Sequence, residues 1–112
     1  MYLSKESKEK AILVSLILSN QSKEEIVEQL NELKRLAYTA GAIPLNAIMQ
    51  SKIKPNPATY IGKGKLKSII NQADELKCSL IIFNNEISPS QLKNIQKIAD
   101  KRIKVIDRTG LI

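Results

Sequence analysis

Between Tyr60 and Lys67 the chain sets two glycines and three lysines at the start of an apolar, helix-periodic segment: Tyr60-Ile61-Gly62-Lys63-Gly64-Lys65-Leu66-Lys67. Gly62 and Gly64 would let backbone N–H groups approach an anion closely. A helix N-terminus adds partial positive charge, and Lys63, Lys65 and Lys67 add full charges. Upstream, Lys52 and Lys54 extend the patch, and no acidic residue occurs between Glu32 and Asp74. The phosphate of RNA or of a nucleotide suits such a place. A glycine-rich turn with solvated lysines is the plain alternative. Tyr60 can pack or stack.

Other chemistries are excluded or reduced to structural roles. The chain has no histidine, which removes Ser-His-Asp and Cys-His catalysis and the commonest metal ligand. Cys78 is the only cysteine, so neither an internal disulfide nor a Cys-rich zinc site can form. It opens the apolar run Cys78 to Phe83 and reads as a small buried hydrophobe. The glycine-lysine stretch is not a Walker loop: Leu66 follows Gly64-Lys65 where a hydroxyl should hold magnesium, and Thr59 replaces the first glycine. Nor is it a G-x-G-x-x-G fingerprint, because Lys67 stands where the third glycine is needed. Asp107-Arg108-Thr109-Gly110 has the form D-x-x-G, but without an upstream phosphate loop it reads as the end of a strand. Asn84-Asn85-Glu86 falls where a parallel sheet binds ligands, yet a turn and helix-cap role fits these residues better.

The elements that must position this patch follow from the apolar pattern. The 112 residues make one domain, with 43% hydrophobic residues, no tryptophan and Phe83 as the only phenylalanine, so the core must be aliphatic. Residues 1–10 read as a polar, mobile leader. The run 11–18 is a strand buried on both faces. Ser22 and Glu25 form a capping box for a helix over 22–40, with Ile26, Leu30, Leu33 and Ala37 inward, Val27 and Leu36 widening the stripe, and Gly41 as its stop. Residues 42–53 alternate weakly, with Ile43, Leu45, Ala47 and Met49 on one side of an edge strand that ends before Pro55 and Pro57. A helix over 65–77, a buried strand over 80–83, a helix capped by Ser88 with Pro89 in its first turn, and a strand over 103–106 complete the pattern. The order β-α-β-α-β-α-β predicts an α/β fold: a small, open, mainly parallel four-stranded sheet with helices on both faces.

Charge is unevenly spread. Residues 1–50 carry six basic and six acidic side chains (6 − 6 = 0), and residues 51–112 carry twelve and five (12 − 5 = +7). The excess points to an anionic partner, against the alternative of a merely solvated basic face. No apolar run approaches the roughly 18 residues of a membrane span, so the expected setting is the cytoplasm. The apolar Leu111-Ile112 ending reads as a cut within a longer protein.

Three segments together resemble the amino-terminal domain of HflX-type GTPases. Pro57 to Lys65 is similar to the P-x-x-Y-[IV]-G-x-G-K segment of that family, Glu86 to Leu92 to its E-L-S-P-x-Q segment, and Val105 to Ile112 to its V-x-D-R-T-x-L-I segment, in the same order. The resemblance covers residues 11–112. It implies an α/β domain followed by a helical hairpin and a GTP-binding domain, in a protein that binds the large ribosomal subunit. GTP and magnesium would belong to that GTP-binding domain, with no cofactor, metal or catalytic residue in this stretch. The expected partners are ribosomal RNA, through Lys52, Lys54, Tyr60, Gly62, Lys63, Gly64, Lys65 and Lys67, and the protein's own GTPase domain. The resemblance also leaves open an ATP-binding role for the same loop, or a purely regulatory one.

Overall fold

The computed structural model describes residues 8–111. The elements are β1 (Glu9–Ile17), α1 (Lys23–Thr39), β2 (Ala42–Ser51), α2 (Lys63–Glu75), β3 (Leu80–Phe83), α3 (Pro89–Ala99) and β4 (Lys104–Asp107), followed by a 3₁₀ turn, Arg108–Leu111. The strands form one sheet in the order β2-β1-β3-β4, and every pairing is parallel. This is the α/β architecture expected from the alternation of strands and helices.

Burial explains why β1 and β3 read as continuous apolar runs. Both are central, and each face of the sheet is covered. On one face Ile12, Val14, Leu16, Ile81 and Phe83 meet Leu66, Ile69 and Ala73 of α2 and Ile95 and Ala99 of α3. On the other, Ala11, Leu13, Leu80 and Ile82 meet Ile26, Leu30, Leu33 and Ala37 of α1, with Leu111 closing one corner. Cys78 is buried in the first of these cores.

Helix boundaries follow local chemistry. The Ser22 hydroxyl accepts the Glu25 N–H at 3.1 Å and donates to the Glu25 carboxylate, so half of the expected capping box forms. The complete box is at α3, where Ser88 and Gln91 satisfy each other's backbone N–H. Gly41 takes φ 102°, the left-handed turn that ends α1.

Four expectations are corrected. Strand β1 begins at Glu9, so Glu9 and Lys10 belong to the sheet and not to a leader; residues 1–7 lie outside the described residues. Helix α2 begins at Lys63, so Lys63 and Gly64 are helical residues and not loop. The single alternation of Ile43, Leu45, Ala47 and Met49 fails: Ala11 pairs with Pro44 but Ile12 with Asn46, leaving Leu45 as an extra residue. Ala47 and Met49 therefore pack on the α1 side, whereas Ile43 and Leu45 are exposed. Val27 is also exposed, beyond the edge of the α1 stripe.

A candidate phosphate-binding edge

A right-handed β-α-β crossover returns each helix from the carboxyl edge of a parallel sheet to its amino edge. The segment 52–62 therefore runs along the carboxyl edge, joining the end of β2 to the start of α2. That brings all five candidate lysines to one edge. Lys52 and Lys54 follow β2, and Lys63, Lys65 and Lys67 occupy the first turns of α2. Lys52 Nζ lies 4.0 Å from where a β-carbon on Gly62 would stand, so Lys52 reaches the start of α2. Lys54, Lys63 and Lys67 are exposed, and Lys52 and Lys65 are partly so. None of the ion pairs among the described residues involves any of the five.

The connecting segment is firmly built. The Lys52 N–H donates to the Ile17 carbonyl at 3.0 Å, fixing the take-off from β2. The Asn56 side chain accepts the N–H groups of Ala58 and Thr59 at 2.8 and 3.1 Å, forming an Asx turn. Asn56 and Tyr60 exchange both backbone hydrogen bonds, at 2.8 and 2.9 Å. From α3, Gln91 donates to the Asn56 carbonyl and Asn94 to the Ala58 carbonyl, at 3.1 and 2.9 Å. Nothing in the local sequence points to Gln91 and Asn94 as supports, since they lie 35 and 36 residues away from the carbonyls they hold. From the sequence, Pro55 and Pro57 on either side of Asn56 marked only the end of β2.

The glycines do not act as their spacing suggests. Gly62 has φ −61° and ψ 145°, which any residue adopts. Its N–H is already donated to Gln50 Oε1 at 3.1 Å, and an added β-carbon would make only ordinary contact with Gln50. Around Gly64 a β-carbon meets nothing within 4 Å. The strained position is Tyr60, with φ 67°. Its ring is buried edge-on against Phe83, centroids 6.5 Å apart, and burial raises its hydroxyl pKa above the ordinary 10.0. Of packing and stacking, the structure shows packing.

Helix α2 also departs from the other two in its electrostatics. α1 and α3 have serine caps, and α1 has Glu24 and Glu25 in its first turn. The α2 N-terminus has no side-chain cap and no acidic residue, and carries Lys63 and Lys65 instead. Cations there oppose the helix dipole, and Lys63 and Lys67, one turn apart, repel each other. A bound anion would relieve both.

The order of strands reverses between β1 and β3, where open α/β sheets commonly hold ligands. Here side chains fill that crevice. Asn84 donates to Ser15 Oγ at 3.2 Å and to Gln29 Oε1 at 2.9 Å, and Asn85 Oδ1 accepts the Leu16 N–H at 3.1 Å. Arg108 lies over them, donating to Asn84 Oδ1, to the Gln29 carbonyl at 3.0 Å and to Glu32 at 2.8 Å. Asp107 accepts the Ile87 N–H at 2.9 Å and the Thr109 N–H at 3.1 Å, so the D-x-x-G segment ends β4 and ties down two turns. Among the described residues no cluster of histidine, cysteine, aspartate and glutamate could hold a metal ion. No helix among them is long and apolar enough to cross a membrane.

Comparison of the sequence with known proteins finds relatives of this chain. Residues 27–112 match the family described as GTP-binding GTPase N-terminal. The chain is 43% identical over 104 residues to GTPase HflX of Flavobacterium psychrophilum, covering 93% of this chain and 25% of that protein. It is 42% identical to GTPase HflX of Caldanaerobacter subterraneus subsp. tengcongensis over 94% of this chain and 23% of the relative. Against GTPase HflX of Escherichia coli K12 the identity is 35%, over 93% of this chain and 23% of the relative. The chain thus spans about a quarter of the length of the curated relatives it matches.

Proposed function

The chain belongs to the family of GTPase N-terminal domains found in HflX proteins, and from that premise we propose that it positions its protein on the large ribosomal subunit by contacting RNA phosphates. The observation that carries this reading is the carboxyl edge of the sheet. There Lys52 and Lys54 follow β2, and Lys63, Lys65 and Lys67 occupy the first turns of a helix whose start lacks any acidic or capping side chain. Ammonium groups placed against a helix dipole raise the energy of the free protein and so favour a polyanion that neutralises them. Asn56, Gln91 and Asn94 hold the edge in shape, so little order has to be imposed on binding. The domain works in the cytoplasm. Its second partner is the GTPase domain of the same protein, where GTP and magnesium are bound and hydrolysis takes place; this stretch supplies no catalytic residue.

The test is the salt dependence of binding to large-subunit RNA. Each duplex phosphate neutralised contributes about −0.9 to the slope of log K against log salt, so three to five contacts give roughly −3 to −4.5. Replacing Lys63 and Lys65 together by glutamate weakens binding and flattens that slope. Glutamate at Lys34 and Arg35, in the charge-balanced half of the chain, is the control. Equal binding by the two double variants would sink the reading.

A further inference from the structure

One side chain on this edge is not explained by charge. Ile53, between Lys52 and Lys54, is 85% exposed, the most exposed large apolar residue among those described. A single exposed isoleucine is ordinary on a protein surface. This one lies between two anchored points of the chain. Lys52 is bonded to Ile17 on one side of it, and the Asn56–Tyr60 pair, held by Gln91, follows on the other. Pro55 restricts the backbone between these anchors. Ile53 and Lys52 also form the shared wall of two open depressions, of 360 and 450 Å³. The first has an apolar side from Ile17 and Leu18, and the second is flanked by Lys54 and Pro55.

We propose that Ile53 is a wedge that packs against an unpaired base, so that this edge selects RNA with unpaired nucleotides over plain duplex. The proposal rests on the RNA reading above and deepens it. A nucleotide offers an anionic phosphate and an apolar base face in fixed proximity. Lys52 and Lys54 meet the first, and Ile53 with the wall of Ile17 and Leu18 meets the second. Duplex RNA keeps its base faces stacked inside the helix and presents only phosphates, hydroxyls and shallow base edges. An exposed apolar side chain gains nothing there, whereas a base in a bulge or loop is free to lie against it.

The experiment compares two labelled RNAs of equal length, one a blunt duplex and one a hairpin with a bulge and an open loop, by fluorescence anisotropy with the 112-residue chain. Ile53→Ser should weaken the hairpin about tenfold and leave the duplex within about twofold, with both salt slopes unchanged. Ile53→Phe should restore or tighten hairpin binding, because an aromatic ring stacks better than an aliphatic side chain. A 2-aminopurine placed in the bulge should change its fluorescence with the wild-type chain and not with Ile53→Ser. If the wild-type chain binds both RNAs alike, or if Ile53→Ser weakens both equally, the wedge is wrong and the lysine reading stands. If it binds neither RNA, both fail. If Ile53 instead governs binding to phosphatidylglycerol vesicles with no effect on RNA, the residue belongs to a lipid-facing surface and the proposal is overturned.

Discussion

Gly64 sits in the first turn of a helix with open space around it, so its lack of a side chain contributes nothing to packing. Alanine there should stabilise the fold by about 0.5–1 kcal/mol, through helix propensity and a less flexible unfolded chain. A rise in the thermal midpoint with RNA affinity unchanged is the expected outcome. Lost affinity at unchanged stability would show that the backbone itself must reach the phosphate. Cys78 makes a different case. Burial raises its pKa above the ordinary 9.0, and the charge of Lys10 offsets part of the rise. A thiol that resists ionisation in the folded state stabilises it fully below its unfolded pKa, and that contribution is lost as pH rises through the folded value. Ellman's reagent at pH 8 should therefore react slowly, in step with unfolding. Fast reaction of the native chain would mean that the thiol is accessible after all.

The caps differ in worth from helix to helix. Ser88 belongs to a complete capping box and holds α3, whose Gln91 and Asn94 support the lysine-bearing segment. Ser88→Ala should cost about 1 kcal/mol, within the range of 0.5–2 for such caps, and should also weaken RNA binding by loosening that segment. Ser22→Ala, at the half-formed box of α1, should cost about the same or less and leave RNA binding alone. Chemical denaturation and anisotropy on both variants separate the two effects. Sequence was a good guide to these elements where one local rule dominates. Continuous apolar runs gave β1 and β3, because central strands are covered on both faces. Serine caps and Gly41 placed the ends of α1 and the start of α3. In β2 the pattern misled, because the bulge at Leu45 is a property of pairing with β1 and inverts the two faces midway. The lysines of the candidate site were legible as charge. The mount beneath them was not, because Gln91 and Asn94 act on carbonyls far away in sequence, and the glycines drew attention that belongs to Tyr60 and Gln50.

At the scale of the whole molecule the carboxyl edge of the sheet divides into two parts, the switch point and the end of β2 with the start of α2. Its switch point is closed by Asn84 and Arg108, bonded to each other and to α1, and by Asn85, which accepts the Leu16 N–H of β1, while the lysines at the end of β2 and the start of α2 take part in none of the ion pairs among the described residues. Neither a phosphate loop of Walker form nor an N-K-x-D guanine reader occurs in the chain. Calorimetry with GTP and magnesium should therefore give no binding heat for these 112 residues. Micromolar binding would overturn the assignment of GTP chemistry to the rest of the protein.

The direction of the strands also decides how the domain bears load. Glu9 opens β1 at the amino edge, and Leu111 lies just past β4 at the carboxyl edge. Tension between these points pulls β1 and β4 along their lengths in opposite senses, with β3 paired to both. The ladder hydrogen bonds are then loaded together in shear, instead of opening one after another like a zip. Arg108 shares the pull with α1 through Gln29 and Glu32 before it reaches β4. Pulling at Leu111 thus loads the β1–β3 and β3–β4 ladders, four residue pairs each, along their length and not from one end.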